Sequence, residues 1–398
     1  MISIIKGLLF TGMFMLFSCS SFGQLMNAEK PFQYQDIPVR IEIPVKPIAV
    51  EGSDGYLYMN YYIVITNLAV LPLTINRMDI KDHTGRLLLV FEKKDLEDYN
   101  KFRSILGVIS PTQVPRRINP ATSMVALVWL RINNHEPLPD SLFHDFAFEP
   151  DSSLELKRNV DRDNKGREMV LADFPLVVQQ EKPVVIGLPF KDGIWKCGSG
   201  PGEYNSPHQT FTNRAGNLLS PQRYAFDFSK VDSAGNVLPS PFPNEITSSM
   251  FYGYGHEVLA VADGKIVFMQ DSIPENIPQA KGEIKHATEL NRKTYPGNWI
   301  CLEIKKDVYA FYAHLQPGRI KVKVGDHVKK GQVIAYLGNS GNAAGPHLHF
   351  QVSDRFDMDG GDLNGNEGLP FVFDEFSSVK DHNVHRKQIP LNGEIIGR

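Results

Sequence analysis

The sequence predicts an all-β protein of two domains. Two observations carry this. Apolar residues occur in short β-branched and aromatic runs, such as Tyr56 to Thr66 and Ser123 to Leu130, and glycine, proline and asparagine turn signals separate the runs. The chain has 398 residues, 42% hydrophobic and 22% charged, enough for two sizeable cores behind a cleavable start. Its net charge of -3 implies no general affinity for nucleic acid or an anionic membrane.

The first residues read as an export signal, residues 1–23, with Lys6 as the leading charge and Gly7 to Phe17 as a short apolar run. Leu16-Phe17-Ser18-Cys19 resembles a lipoprotein cleavage box, in which Cys19 carries the lipid anchor. Ordinary cleavage after Gly23, leaving Gln24 first, is the alternative. The run is too short to span a bilayer, and no later segment is apolar enough, so no transmembrane segment is expected in the mature chain. The expected location is the cell envelope, either soluble or lipid-anchored outside the cytoplasm.

Residues 31–183 read as a β-sandwich of immunoglobulin-like type, with one helix expected from Glu92 to Arg103. No catalytic constellation stands out here, and His83, His135 and His144 read as solvated loop residues. The glycine-rich stretch Cys197 to Gly202 is not a phosphate loop, because no Gly-Lys-Ser/Thr follows it.

Residues 189–376 form the second expected domain, with a polar tail at 377–398. Two similar half-units, Gly255 to Val267 and Gly325 to Gly338, alternate apolar positions between glycine turns and read as hairpins. Cys197 and Cys301 are expected as separate buried thiols, and three cysteines exclude a Cys-x-x-Cys structural zinc site. Asp357, Asp359 and Asp362 hint at calcium, but the spacing misses an EF-hand loop.

Chemistry concentrates in Gly345-Pro346-His347-Leu348-His349-Phe350. Side chains alternate along a strand, so His347 and His349 share one face while Leu348 and Phe350 take the other. His314 sits in a similar setting, Phe311-Tyr312-Ala313-His314-Leu315. Imidazole is the commonest metal ligand and general base near neutral pH. Alternation in Tyr224-Ala225-Phe226-Asp227-Phe228 places Asp227 opposite three aromatic rings, and pairing with Arg223 or a turn cap is its structural alternative.

Together, the His-Leu-His strand, the Tyr-Ala-His-Leu segment, the Gly-Asp-x-Val-x-x-Gly-Gln hairpin and the Asn-Ser-Gly turn resemble the lysostaphin/LytM-type zinc endopeptidases, which cleave peptide bonds in peptidoglycan. The resemblance covers roughly Tyr224 to Val352 and implies a LytM-type β-sheet or barrel-sandwich domain with a duplicated hybrid motif. It implies that His349 and Asp227 bind Zn2+ and that His347 and His314 act in catalysis. With zinc held, His347 is expected to be the proton-transfer base and His314 to steady the oxyanion with the zinc. The resemblance further implies peptidoglycan peptide cross-links as the partner.

One position departs from the family. Its remaining ligand, usually a histidine four residues before the aspartate, is Arg223 here, and arginine does not ligate zinc. His208 is the chosen substitute, with His256 second. The expected function is zinc-dependent hydrolysis of peptidoglycan peptide bonds. The alternative is an inactive LytM-like domain that binds peptidoglycan or regulates another hydrolase. Carrier-domain chemistry is set aside, because the turn Asn339 to Asn342 has no lysine. His286, His327, His382 and His385 lack such context and read as solvated.

Overall fold

A computed structural model describes residues 37–104, 116–151, 168–204, 207–241, 245–278, 284–356 and 366–397. The expected signal with Cys19, and Asp357, Asp359 and Asp362, lie outside the described residues. Residues 37–398 form one compact unit.

The N-terminal part is a two-sheet antiparallel sandwich. One sheet runs Val39–Glu42, Tyr56–Asn67, Ser123–Asn133, Phe102–Ser104, with Val50–Glu51 also on Tyr56–Asn67. The other runs Met169–Val177, Ser141–Pro150, Leu73–Asp82, Leu87–Phe91, with Arg117–Ile118 on Leu73–Asp82. Tyr56–Asn67 is apolar almost without alternation, because both of its faces are covered. Met59, Tyr61, Ile63 and Ile65 fill the sandwich, while Tyr58 joins the core of the second domain and Tyr62 donates its hydroxyl to Leu218 O.

The helix expected from Glu92 to Arg103 shrinks to one turn, Lys93–Leu96. Asp98 Oδ1 accepts the Asn100 amide and bends the chain. The buried Phe102 then enters a strand and meets Phe91 edge-on at 5.4 Å. Tertiary packing overrides a weak helical preference. His144, expected in solvent, is fully buried. Its Nδ1–H donates to Phe174 O at 3.2 Å, and its Nε2 accepts from the Tyr61 hydroxyl at 2.8 Å. His385 is also buried rather than solvated, stacked on Phe376.

The second part centres on an eleven-stranded sheet. Its middle runs Ile194–Gly198, Phe226–Val231, Leu348–Ser353, Val308–Leu315, Asn298–Lys305 and Gly264–Gln270. The two half-units meet through Glu257–Leu259 and Val333–Tyr336. Residues 377–398 are not a free tail. Phe371–Ser378 runs through the expected boundary, Val384–Gln388 pairs with it, and Ile395–Gly397 pairs with Ile194–Gly198. Ile389 and Ile396, both fully buried, anchor this return, which polar composition concealed. Cys197 and Cys301 are free and buried. No helix among the described residues is long and apolar enough to cross a membrane.

Candidate metal and catalytic site

Three neighbouring strands build the site by register. Asp227 lies directly opposite His349, with Phe226 opposite Phe350 and Phe228 opposite Leu348. Ala313 lies opposite His349 on the other side. Paired residues share a face, so Asp227, His349 and Ala313 line one surface while Phe226, Phe228, Leu348 and Phe350 fill the core behind it. Alternation alone would turn His314 away from Ala313 and into that core. Instead its φ of 61° is left-handed, and its ring stands 4.7 Å from that of His347 and 6.0 Å from that of His349. A non-glycine residue in this region stores about 1–3 kcal/mol of strain, held by the surrounding sheet. The four residues share a small cleft rimmed by Pro207, Gln222 and Tyr295.

Each histidine is oriented by a fixed acceptor. His314 Nδ1–H donates to Ser340 O at 2.8 Å, and His347 Nδ1–H donates to Gly345 O at 2.9 Å. The Nε2 of each therefore carries a lone pair when the ring is neutral. The Nε2 of His347 lies 3.7 Å from Asp227 Oδ1. Burial, reinforced by the fields of His347 and His349, holds His314 well below the usual histidine range, so it stays neutral.

His349 differs. Its Nδ1 donates to Asp227 Oδ1 at 2.9 Å, and its Nε2 donates to Gln351 Oε1 at 3.0 Å. Gln351 is held the right way round by its own donation to Pro221 O. Burial opposes the charge on His349, but the Asp227 carboxylate outweighs it and raises the ring above its ordinary range. Burial likewise opposes ionisation of Asp227, yet the His349 hydrogen bond and the histidine fields hold its carboxyl far below the usual range. Ser199 Oγ donates to the other oxygen, Oδ2, at 3.2 Å.

Arg223 is committed elsewhere. Its Nε donates to Gly368 O at 2.8 Å and lies 2.7 Å from Glu367 Oε1, and its Nη1 donates to Asn60 O at 2.7 Å. His256 is also apart, contacting Lys230 Nζ and packed edge-on to Trp195. His208 does not join the cleft, contrary to expectation. Its ring is fully buried, with Nδ1 2.8 Å from Glu203 O and Nε2 3.2 Å from Ala225 O.

Among the described residues, no three His, Cys, Asp or Glu groups converge as a finished metal cluster. Asp227 Oδ1 and His349 Nδ1 do converge, with the His349 tautomer set by Gln351 as a metal ligand requires. His208 is the adjacent donor, and both of its ring nitrogens already lie against backbone carbonyls. Burial keeps its ring neutral, so it has one N–H for two carbonyls. The closer contact, to Glu203 O, takes that proton and leaves the Nε2 lone pair against Ala225 O, two residues from Asp227. The donor types suit a metal, but His208 does not converge with Asp227 and His349, so the three would hold an ion only if His208 moved off Ala225 O.

Gln351 and Ser199 were not anticipated from sequence. Gln351 had a readable signal, since two-residue alternation puts it on the face of His349. Ser199 had none, lying in an irregular glycine-rich stretch.

One β-sheet cleft thus holds an aspartate and three histidines. Residues 248–363 match the model of Peptidase family M23, a stretch that contains His314, His347 and His349 but not Asp227. That stretch lies within the second domain, which resembles the lysostaphin type. The chain is 30% identical over 154 residues to the peptidoglycan DD-endopeptidase ShyB of Vibrio cholerae, covering 36% of this chain and 30% of that protein. It is 34% identical over 119 residues to lysostaphin of Staphylococcus simulans, covering 28% of this chain and 20% of that protein. These matches thus span less than a third of either relative. Among solved structures it resembles the catalytic domain of lysostaphin from Staphylococcus simulans at 26% identity, covering 41% of this chain and 84% of that one, with a TM-score of 0.23.

Proposed function

We propose that the chain is an exported, zinc-dependent endopeptidase that hydrolyses peptide cross-links of peptidoglycan in the cell envelope. The observation that carries this reading is the orientation of His314 and His347 beside the Asp227–His349 pair. Each spends its Nδ1–H on a backbone carbonyl and keeps Nε2 for chemistry in one cleft. The relatives named above supply the substrate class.

His208, Asp227 and His349 would hold the ion, which supplies an acidified water and a polarised carbonyl. His347 takes a proton at Nε2 and returns it to the leaving amine. The Asp227 carboxylate lies 3.7 Å from that nitrogen. His314 departs from the expected oxyanion role, because its N–H is already given to Ser340 O. Its Nε2 instead accepts a hydrogen bond and orients the attacking water or the substrate amide. The test is hydrolysis of a cross-linked muropeptide by the mature protein and by His347→Ala. The variant keeps zinc and loses turnover, and retained turnover removes His347 as the base.

A second reading, a domain that binds peptidoglycan without cutting it, draws on Arg223. The family's ligand position is occupied by a residue wholly engaged in structure. Muropeptide binding without zinc and without turnover would support it.

A further inference from the structure

His314 reaches the cleft because its strand, Val308–Leu315, carries one residue too many there. Asn298 pairs with Leu315 and Ile300 with Tyr312, so Trp299 alone faces both Ala313 and His314. This is a β-bulge, a device that bends a strand and re-aims a side chain. In regular pairing, alternation would turn the His314 ring to the core side of the sheet. The φ of 61° at His314 is unfavourable for a residue with a Cβ, so the bulge persists only where its surroundings fix it.

Asn298 and Ser340 fix it. Both are fully buried, and the Asn298 side chain is spent entirely on backbone groups. Its Nδ2 donates to Leu315 O at 3.0 Å and to Ile273 O at 2.9 Å, while its Oδ1 accepts the Ile273 amide at 2.7 Å. Ser340 Oγ donates to the same Leu315 O at 2.8 Å and accepts the Asn298 amide at 2.9 Å. The carbonyl just beyond His314 thus receives two side-chain donors, which a regular strand pair does not supply. Ser340 O in turn takes the His314 Nδ1–H. Gly297, with a φ of 68°, lets these segments close, because a Cβ there would strike Ser340.

From this arrangement we infer that Asn298 is a positioning residue for His314: with Ser340 it latches the bulge that turns the imidazole into the cleft. The inference rests on the reading of His314 as the acceptor that orients water or the substrate amide, and it needs no bound ion. Removing the Asn298 side chain takes away three hydrogen bonds that the bulge depends on. The strand then relaxes towards regular pairing, and the ring leaves its place 4.7 Å from that of His347.

The experiment is NMR of the full metal-free chain with nitrogen-15 in its histidine rings, in the parent, Asn298→Ala and Ser340→Ala, at one pH above the ordinary histidine range. His314→Ala assigns the ring signals. The expected parent carries its His314 proton on Nδ1 and shows a cross-relaxation contact between the His314 and His347 rings. Asn298→Ala should lose both, while the signals of His349 stay in place. An unchanged His314 ring in Asn298→Ala and in Ser340→Ala overturns the positioning role. Muropeptide hydrolysis is the second readout. Asn298→Ala should lower kcat about 100-fold with KM near that of the parent. Its double variant with His314→Ala should be no slower than His314→Ala alone, a non-additivity that general destabilisation would not produce. Turnover unchanged in a variant whose ring has moved, or absent from the parent, overturns the reading of His314, and the ring signals still decide the latch. If Asn298→Ala does not fold, Ser340→Ala keeps the carbonyl that His314 needs and carries the same expectations.

Discussion

Asp227 and His349 face each other across a strand pair, and the carboxylate and ring share a 2.9 Å hydrogen bond. The folded pKa of His349 is raised, so its pair with Asp227 stabilises the metal-free protein fully below the ordinary histidine range. That contribution is lost as pH rises through the raised value. Thermal unfolding of metal-free protein should therefore show a midpoint that falls as pH climbs through and above neutrality. Asp227→Asn should flatten that dependence, and an unchanged slope in the variant would show that another group is responsible.

Gln351 fixes the tautomer of His349 and is itself held by Pro221 O. Gln351→Ala should weaken zinc binding about 10- to 100-fold while leaving the sheet folded. Chelator competition reads the affinity, and circular dichroism checks the fold.

His144 makes the sandwich sensitive to acid. Burial pushes its pKa down from 6.5 to about 4. A depressed histidine binds fewer protons folded than unfolded, so stability is full above pH 6.5 and declines as pH falls towards the folded value. The loss is about 3 kcal/mol over that window. Urea unfolding at pH 7 and near pH 4.5 measures it. His144→Gln, which keeps an acceptor for the Tyr61 hydroxyl, should show a smaller difference between the two pH values.

Arg223 and Glu367 form a buried ion pair that ties the two domains together through Asn60 O. Arg223→Met should cost about 3–5 kcal/mol, because it leaves the Glu367 carboxylate buried without its cation. Glu367→Gln on that background should recover part of the loss. Equal stability of Arg223→Met and the parent in urea would contradict the clamp.

Much of the architecture was legible because period and composition agreed. Tyr56 to Thr66 is β-branched and aromatic throughout, and Tyr56–Asn67 is the central strand. The two-residue spacing of His347 and His349 put both rings in one cleft, and the aromatic alternation around Asp227 put its carboxylate there too. What escaped was set by contacts distant in sequence. His314 reaches the cleft only through a left-handed backbone that alternation does not foresee. Residues 377–398 are polar by composition, yet their few apolar side chains close the sheet against Trp195. His208 was expected to fold onto the metal, but its partners are two backbone carbonyls and Trp129, none of which a motif encodes.

The most direct test is zinc content of the purified mature protein beside His208→Ala, measured by elemental analysis after reconstitution and gel filtration. The account predicts near-stoichiometric zinc in the parent and its loss in the variant, with His208 moving off Ala225 O to complete the set with Asp227 and His349. A parent that takes up no zinc would contradict the central claim and favour a peptidoglycan-binding domain that cuts nothing.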